Sequence, residues 1–260
     1  MIVGNSLGLG AALSLGATAI SLVFAAVVYQ QFITRRRPYQ LVWSLALLIF
    51  GVGTFCQFVA EEHGWNEPIY RIWYYSGAML AAAYLGQGTV YLIAPRAFAH
   101  ASMAVLIALS LEGLGFALSV PVDLTRALVQ GSVTGGGFPP YMLFFVIPLN
   151  TYGTIALVGG ALWSVIRFWP DPSSRRRGVG TLLIAVGGLV EALGGTANRL
   201  GIPSLLYVTE MIGVAIIFAG YLQTVARTAV TPSSARSPHS TDGPGRSSSV
   251  HTLTHGQSGV

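Results

Sequence analysis

Residues 204–225 read SLLYVTEMIGVAIIFAGYLQTV. At about 1.5 Å of rise per residue, a helix over this run is long enough to cross a hydrocarbon core of about 30 Å. Its one acidic residue, Glu210, lies inside the apolar run. Two further stretches have the same form: 179–198, VGTLLIAVGGLVEALGGTAN, carrying Glu191, and 99–120, AHASMAVLIALSLEGLGFALSV, carrying Glu112. Each glutamate is followed three residues later by a glycine, Gly115, Gly194 or Gly213. That spacing puts the carboxyl and a bare patch of backbone on one helix face, where a neighbouring helix can approach closely. A carboxyl at membrane depth is costly, so it is expected to face the bundle interior and to mark a binding site or an ion path.

Working outward, apolar runs recur at 6–29, 41–60, 69–93, 99–120, 141–166, 179–198 and 204–225. The expectation is an all-α polytopic membrane protein with seven transmembrane helices over residues 1–227. Composition agrees. The 260-residue chain is 53% hydrophobic and 9% charged, where a soluble domain carries about 25% charged residues. The N-terminal MIVGNSLGLG lacks a basic stretch and a cleavage site, so it reads as the start of a retained helix. The single Cys56 excludes an intrachain disulfide and a cysteine metal site.

All 14 basic residues are arginine. Arg35, Arg36, Arg37, Arg96, Arg167, Arg175, Arg176, Arg177, Arg227, Arg236 and Arg246 fall on one side of the expected membrane, and only Arg71, Arg126 and Arg199 on the other. The positive-inside rule then places the chain in the plasma (cytoplasmic) membrane with its N-terminus outside and its C-terminus in the cytoplasm. Tyr39, Trp43, Trp65, Tyr70, Trp73, Trp163 and Trp169 lie near span ends, as an aromatic belt does. Residues 228–260 are rich in Ser, Thr, Pro and Gly and read as a disordered cytoplasmic tail, either a plain solvated terminus or a site for a protein partner.

Spans 2–3 and 6–7 overlay at a constant offset of 135. Leu47-Leu48-Ile49 falls on Leu182-Leu183-Ile184, Gly53 on Gly188, Pro68 on Pro203 and Thr89 on Thr224. A parallel 3+1+3 repeat, of the kind that builds a site between repeats, is one reading. Chance alignment of simple apolar helices is the other, and both stay open. In the overlay Glu191 meets Cys56, beside Gln57, and Glu210 meets Tyr75.

By helical rise, Glu112, Glu191 and Glu210 fall at similar depth, with Asn150 near the middle, Gln57 and Tyr74 slightly further out, and Gln87 deeper as a floor. Asn150 follows Pro148, which frees a backbone carbonyl nearby. These seven form the candidate ligand- or proton-binding set. Each has a structural alternative. A buried glutamic acid can stay neutral and fix helix register, and Gln57, Gln87 and Asn150 individually read as glue between helices. Three carboxyls at one depth favour function, because packing does not need them clustered. Arg71 and Arg199 read as interfacial, or as partners of an anion or of Glu61, Glu62 or Glu67.

His63 and His100 fall on opposite sides of the membrane and cannot share a metal or haem. No phosphate-binding glycine loop and no Ser/His/Asp set is present, and the basic pI reflects topology rather than nucleic acid. No cofactor is expected. The expected partners are the lipid bilayer and a small molecule or proton.

The stretch Tyr70–Arg96, YRIWYYSGAMLAAAYLGQGTVYLIAPR, resembles a segment of uncharacterised bacterial seven-helix membrane proteins, a group with no function to transfer. The layout also resembles microbial rhodopsins. That resemblance implies a retinal lysine in the seventh span, which instead holds Glu210, Gln223 and no lysine, so covalent retinal chemistry is excluded. The 3+1+3 order resembles parallel-repeat sugar and amino-acid transporters, whose expected proline–glutamine pair is missing here. The function expected is binding or transport of a small solute, proton-coupled through the glutamates. The alternatives are a seven-helix ligand sensor and an accessory or structural subunit of a membrane complex.

Overall fold

The computed structural model describes residues 8–129, 132–170, 175–202 and 204–225. The chain divides into two units, Met1–Arg227 and Thr228–Val260. The second lies outside the described residues, and with it the reading of 228–260 as a disordered tail.

Among the described residues the first unit is all-α apart from a small hairpin. Six of the helical segments described are long and apolar enough to cross a membrane: Leu9–Arg35, Pro38–His63, Arg96–Ser119, Pro140–Phe168, Arg177–Arg199 and Ser204–Val225. The elements are α1 (Leu9–Arg35), α2 (Pro38–His63), α3 (Glu67–Trp73), a π-helical segment Tyr74–Ala81, α4 (Ala82–Ile93) and α5 (Arg96–Ser119). A short α6 (Leu124–Ala127) follows, then β1 (Leu128–Val129) and β2 (Ser132–Val133), α7 (Leu143–Thr154), a second π-helical segment Ile155–Gly159, α8 (Gly160–Phe168), α9 (Arg175–Arg199) and α10 (Ser204–Val225). Local chemistry marks the boundaries. Pro38 opens α2, where a proline costs no helical hydrogen bond, and the Asn66 side chain caps α3 by accepting from the Ile69 amide at 3.0 Å.

The six apolar helices carry large side chains outward, among them Val105, Leu118, Phe144, Ile155, Ile166 and Leu193, all more than half exposed. A monomer in water rarely shows so extensive an apolar surface, and hydrocarbon solvates it well. The α3–π–α4 run is different. It is more polar, with Tyr74, Ser76, Gln87 and Thr89, and all four of these are buried. It packs against α2, α5 and α7 and forms the middle of the main core with Tyr70, Trp73, Met79 and Ala83.

Two approaches of bare backbone set the core spacing. Gly153 of α7 lies against α4 so tightly that an added Cβ would sit 2.1 Å from Ala82 O, with Gly86 facing it. Across α9 and α10, a Cβ on Gly220 would sit 2.5 Å from Gly180 O. Small residues at such crossings let helix axes approach, the usual packing device where lipid removes the hydrophobic drive between helices.

The aromatic-belt reading needs correction for two residues. Trp163 and Trp169 are exposed, but Tyr70 and Trp73 are 0% and 3% exposed. They join Trp65, Tyr74 and Phe138 in one aromatic cluster, with ring centroids 4.7–6.2 Å apart. The segment between the apolar runs 99–120 and 141–166 holds α6, the antiparallel pair β1–β2 and a 3-10 turn at Gly135–Gly137, with a second 3-10 turn at Pro140–Met142 leading into α7. The Tyr70 hydroxyl anchors this roof, donating to Thr134 O at 2.9 Å and accepting from Gly137 N at 3.0 Å. Asn198 Nδ2 donates to Val133 O at 2.7 Å from the end of α9.

Candidate functional site

Beneath the roof lies a cavity of about 830 Å³ walled by α2, the α3–π–α4 run, α7, α9 and α10. Its walls are mostly apolar, with Tyr74, Asn150, Glu191, Asn198, Arg199 and Glu210 as the principal polar groups.

Glu210 projects from α10 and is 8% exposed. Its Oε1 accepts from Gln57 Nε2 at 3.2 Å, and Gln57 Oε1 accepts from Ser14 Oγ at 3.3 Å. Gln57 is thus held from α1 with its amide nitrogen aimed at the carboxyl. Glu210 Oε2 is buried and has no hydrogen-bond partner. An unsatisfied carboxyl oxygen in an apolar wall costs free energy unless a proton, ion or ligand group meets it.

Glu191 reaches across from α9. Its carboxyl lies directly over Gly213, where a Cβ would sit 2.7 Å from Oε1. Gly213 is one turn along α10 from Glu210, so the two carboxyls stand on neighbouring helices in one wall, within electrostatic reach of each other. The glycine three residues after each glutamate therefore has a use in two of the three cases. Gly213 makes room for Glu191, and Gly194 packs tightly on Thr209.

The third case fails. Glu112 is exposed on the outer side of α5, does not line the cavity, and has open space over Gly115. Gly113, its neighbour, faces inward against Met79. With about 100° of rotation per residue, the inward side of α5 passes through 113 and not 112. The expected three-glutamate cluster is a pair.

Asn150 lines the cavity and also ties its walls. Its Nδ2 donates to Ala78 O and to Val146 O, both at 2.8 Å. Ala78 belongs to the π-helical turn, where widened pairing leaves carbonyls short of partners. Tyr74 is 2% exposed, packs against Phe138 and reaches the cavity within electrostatic range of Arg199. Gln57 stands behind the wall rather than in it. Gln87 lies deeper and outside the cavity lining. Its Nε2 donates to Ala99 O at 2.8 Å and its Oε1 accepts from Tyr152, joining α4, α5 and α7 as internal glue.

Arg71 is committed elsewhere. It pairs with Glu67 at 2.5 Å, donates to Ala117 O and lies over the Phe138 ring at 5.7 Å. Arg199 instead lines the cavity, with Arg126 at the roof. The Asp123 carboxylate accepts from Thr125 Oγ1 at 2.5 Å, then from the Thr125 and Arg126 amides, and pairs with Arg126 Nε at 3.2 Å. The Thr125 hydroxyl, and after it the two amides, hold its carboxyl below the usual carboxylate range.

Sequence reasoning missed Asn198 and the pairing of Glu61 with Tyr207. Asn198 follows Glu191 at i+7, beside Arg199 at i+8, a helical stripe that was legible in the spacing. Glu61 accepts from the Tyr207 hydroxyl at 2.8 Å. With Gln57 and Thr54 it makes a polar stripe down α2 at i, i+3 and i+7, and Thr54 meets Thr18 of α1 at 2.9 Å. Among the described residues no group of three His, Cys, Asp or Glu side chains is placed to hold a metal ion. No protein family matches the chain, and comparisons with curated proteins and with solved structures return no match.

Proposed function

We propose that the chain is a plasma-membrane protein of seven spans, N-terminus outside, that binds a small solute in the roofed cavity and couples binding to a proton held by Glu191 and Glu210. The observation that carries this reading is Glu210 Oε2, buried without a partner in a cavity wall that holds a second carboxyl. Two like charges in an apolar wall favour one proton on the pair. A ligand with a basic or hydrogen-bond-donating group offers the same compensation, so ligand and proton compete for one place. The mostly apolar walls suit an apolar body, and Arg199 suits an acidic group nearer the roof.

The seventh span in this proposal is the α3–π–α4 run, whose polar groups are supported by burial among the other helices. The offset-135 repeat belongs to the proposal too. Its support is that Gly53 and Gly188 both sit in tight helix crossings, against Gly77 and Leu157. Pro203, one of its matched positions, lies outside the described residues.

The test is infrared difference spectroscopy on the purified chain in lipid across a pH titration, against Glu191→Gln and Glu210→Gln. A carboxyl band that titrates in the wild type and vanishes in one variant supports the reading. Carboxyl bands silent from about pH 4 to 9 would sink it.

A ligand sensor is the second reading. It is favoured by the Tyr152–Gln87–Ala99 tie, which closes the helices below the cavity. Deleting residues 228–260 separates the two: loss of function with cavity binding intact supports signalling.

A further inference from the structure

At the opposite end of the bundle a second hollow, of about 980 Å³, opens between the α1–α2 turn and the turn before α5. Arg35, Arg36, Arg37 and Arg96 line it, with Tyr91 and His100 joined at 3.0 Å beside them. Among the described residues no carboxyl lines the hollow, and none of the four arginines makes an ion pair. All four arginines are exposed, and they bring like charge from two separate turns to one surface, which attracts an anion.

Two structural reasons for the charge fall short. Cations at a helix C-terminus suit the macrodipole, which accounts for Arg35 and Arg36 at the end of α1. Arg96 is the first residue of α5, where the dipole opposes a cation and where no side chain caps the free amides. The positive-inside rule asks for charge at this end, but not for a concave wall. Arg36 is the one non-glycine residue with positive φ among the described residues, at φ 50° and ψ 38°. That left-handed residue closes α1, its amide donating to Phe32 O at 2.7 Å, and its guanidinium lies over the Phe32 ring at 5.7 Å.

The rim identifies the anion. Leu92 lines the hollow and is exposed, and Ile33, Ile93 and Phe98, close in sequence to its lining residues, are exposed as well. A free phosphate has no use for them, whereas acyl chains do.

We propose that this hollow binds the phosphate of an anionic phospholipid in the adjacent leaflet, gripped by Arg36 and Arg96 from the two turns. Fork-shaped guanidinium groups chelate phosphate oxygens in pairs. The proposal rests on the chain lying in a bilayer and on nothing at the carboxyl pair, so the failure of either leaves the other standing.

The test uses the full chain in nanodiscs of phosphatidylcholine with a minority of phosphatidylglycerol, reading the lipids retained by native mass spectrometry. The wild type should retain phosphatidylglycerol preferentially. Arg36→Gln with Arg96→Gln should lower that preference about tenfold through loss of paired chelation. The charge-matched pair Arg167→Gln with Arg177→Gln, exposed at the same end but outside the hollow, should lower it by a clearly smaller factor, through diffuse attraction alone. Equal losses in both pairs mean diffuse attraction and overturn the site, as does an unchanged preference in the first pair. Displacement of the lipid by millimolar inorganic phosphate overturns the lipid assignment in favour of a soluble anion. Should the Gln pair not assemble, Arg36→Lys with Arg96→Lys keeps the charge and loses chelation. A fall in preference then supports the site and no change overturns it.

Discussion

Gln57 of α2 and Glu210 of α10 are joined side chain to side chain at 3.2 Å, and that bond leaves Glu210 Oε2 buried with no partner. The pair sits midway in a polar stripe that runs along α2 from Glu61, bonded to Tyr207, to Thr54, bonded to Thr18. α2 therefore presents a line of hydrogen-bonding groups to α1 and α10 while its other faces stay apolar. Midway along it, Gln57 ties the stripe to the cavity carboxyl of Glu210.

The strength of that join is measurable. Gln57→Leu removes the one partner Glu210 has and should cost about 1–3 kcal/mol. Glu210→Leu together with Gln57→Leu should cost less than the two single changes summed, because neither then leaves the other unpaired. A double-mutant cycle from unfolding in detergent should return a coupling of about 1 kcal/mol, the scale of helix–helix hydrogen bonds in membranes. A coupling near zero would show that the bond contributes nothing.

Glu112 and Glu191 should part company on substitution. Glu112→Leu extends an exposed apolar face already formed by Leu111 and Leu118, so stability in lipid should hold or rise. The response of Glu191 and Glu210 should not change. Glu191→Leu removes a cavity carboxyl and should shift the response of its neighbour Glu210. Identical spectra from both variants would contradict the pairing.

What the sequence made legible follows from what hydropathy encodes. It encodes the length of an apolar run: 204–225 is α10, and 41–60 lies within α2. It does not encode rotation when a helix is apolar on all sides. Glu112 is read as facing inward but is exposed on α5, although Gly113 and Gly115 flank it, whereas Glu191 lines the cavity. The π-helical turn at Tyr74–Ala81 has no local signal, since its carbonyl at Ala78 is satisfied by Asn150 from a distant helix. The roof is Gly- and Pro-rich without a period, and its hairpin is tied down by Tyr70 and Asn198, both remote in sequence.

Gly153→Ala should be among the most damaging single changes. The new methyl would lie 2.1 Å from Ala82 O, and that contact is backbone, which cannot swing aside. Separating α4 from α7 should cost about 1–3 kcal/mol or more and disturb the Asn150 bond to the π turn. Gly115→Ala meets open space and should stay within about 0.5 kcal/mol of the wild type, or stabilise α5 slightly. Comparable unfolding midpoints for the two variants would refute the packing account.

The roof should loosen in acid through Asp123. Its carboxyl is held below the ordinary value by Thr125 Oγ1 and by the amides of Thr125 and Arg126, so the charged form is the one that caps α6. A depressed folded value means the stabilisation is fully present above the unfolded pKa of about 3.9 and is lost as pH falls through the folded value. Hydrogen exchange at Thr125 and Arg126, corrected for the intrinsic rate, should show protection that is steady near neutrality and declines below about pH 4. Asp123→Asn retains an acceptor without the charge, so its protection should be flat across that range, while Asp123→Ala should be less protected at every pH. Wild-type protection that stays constant down to about pH 2 would mean that the roof does not depend on this cap.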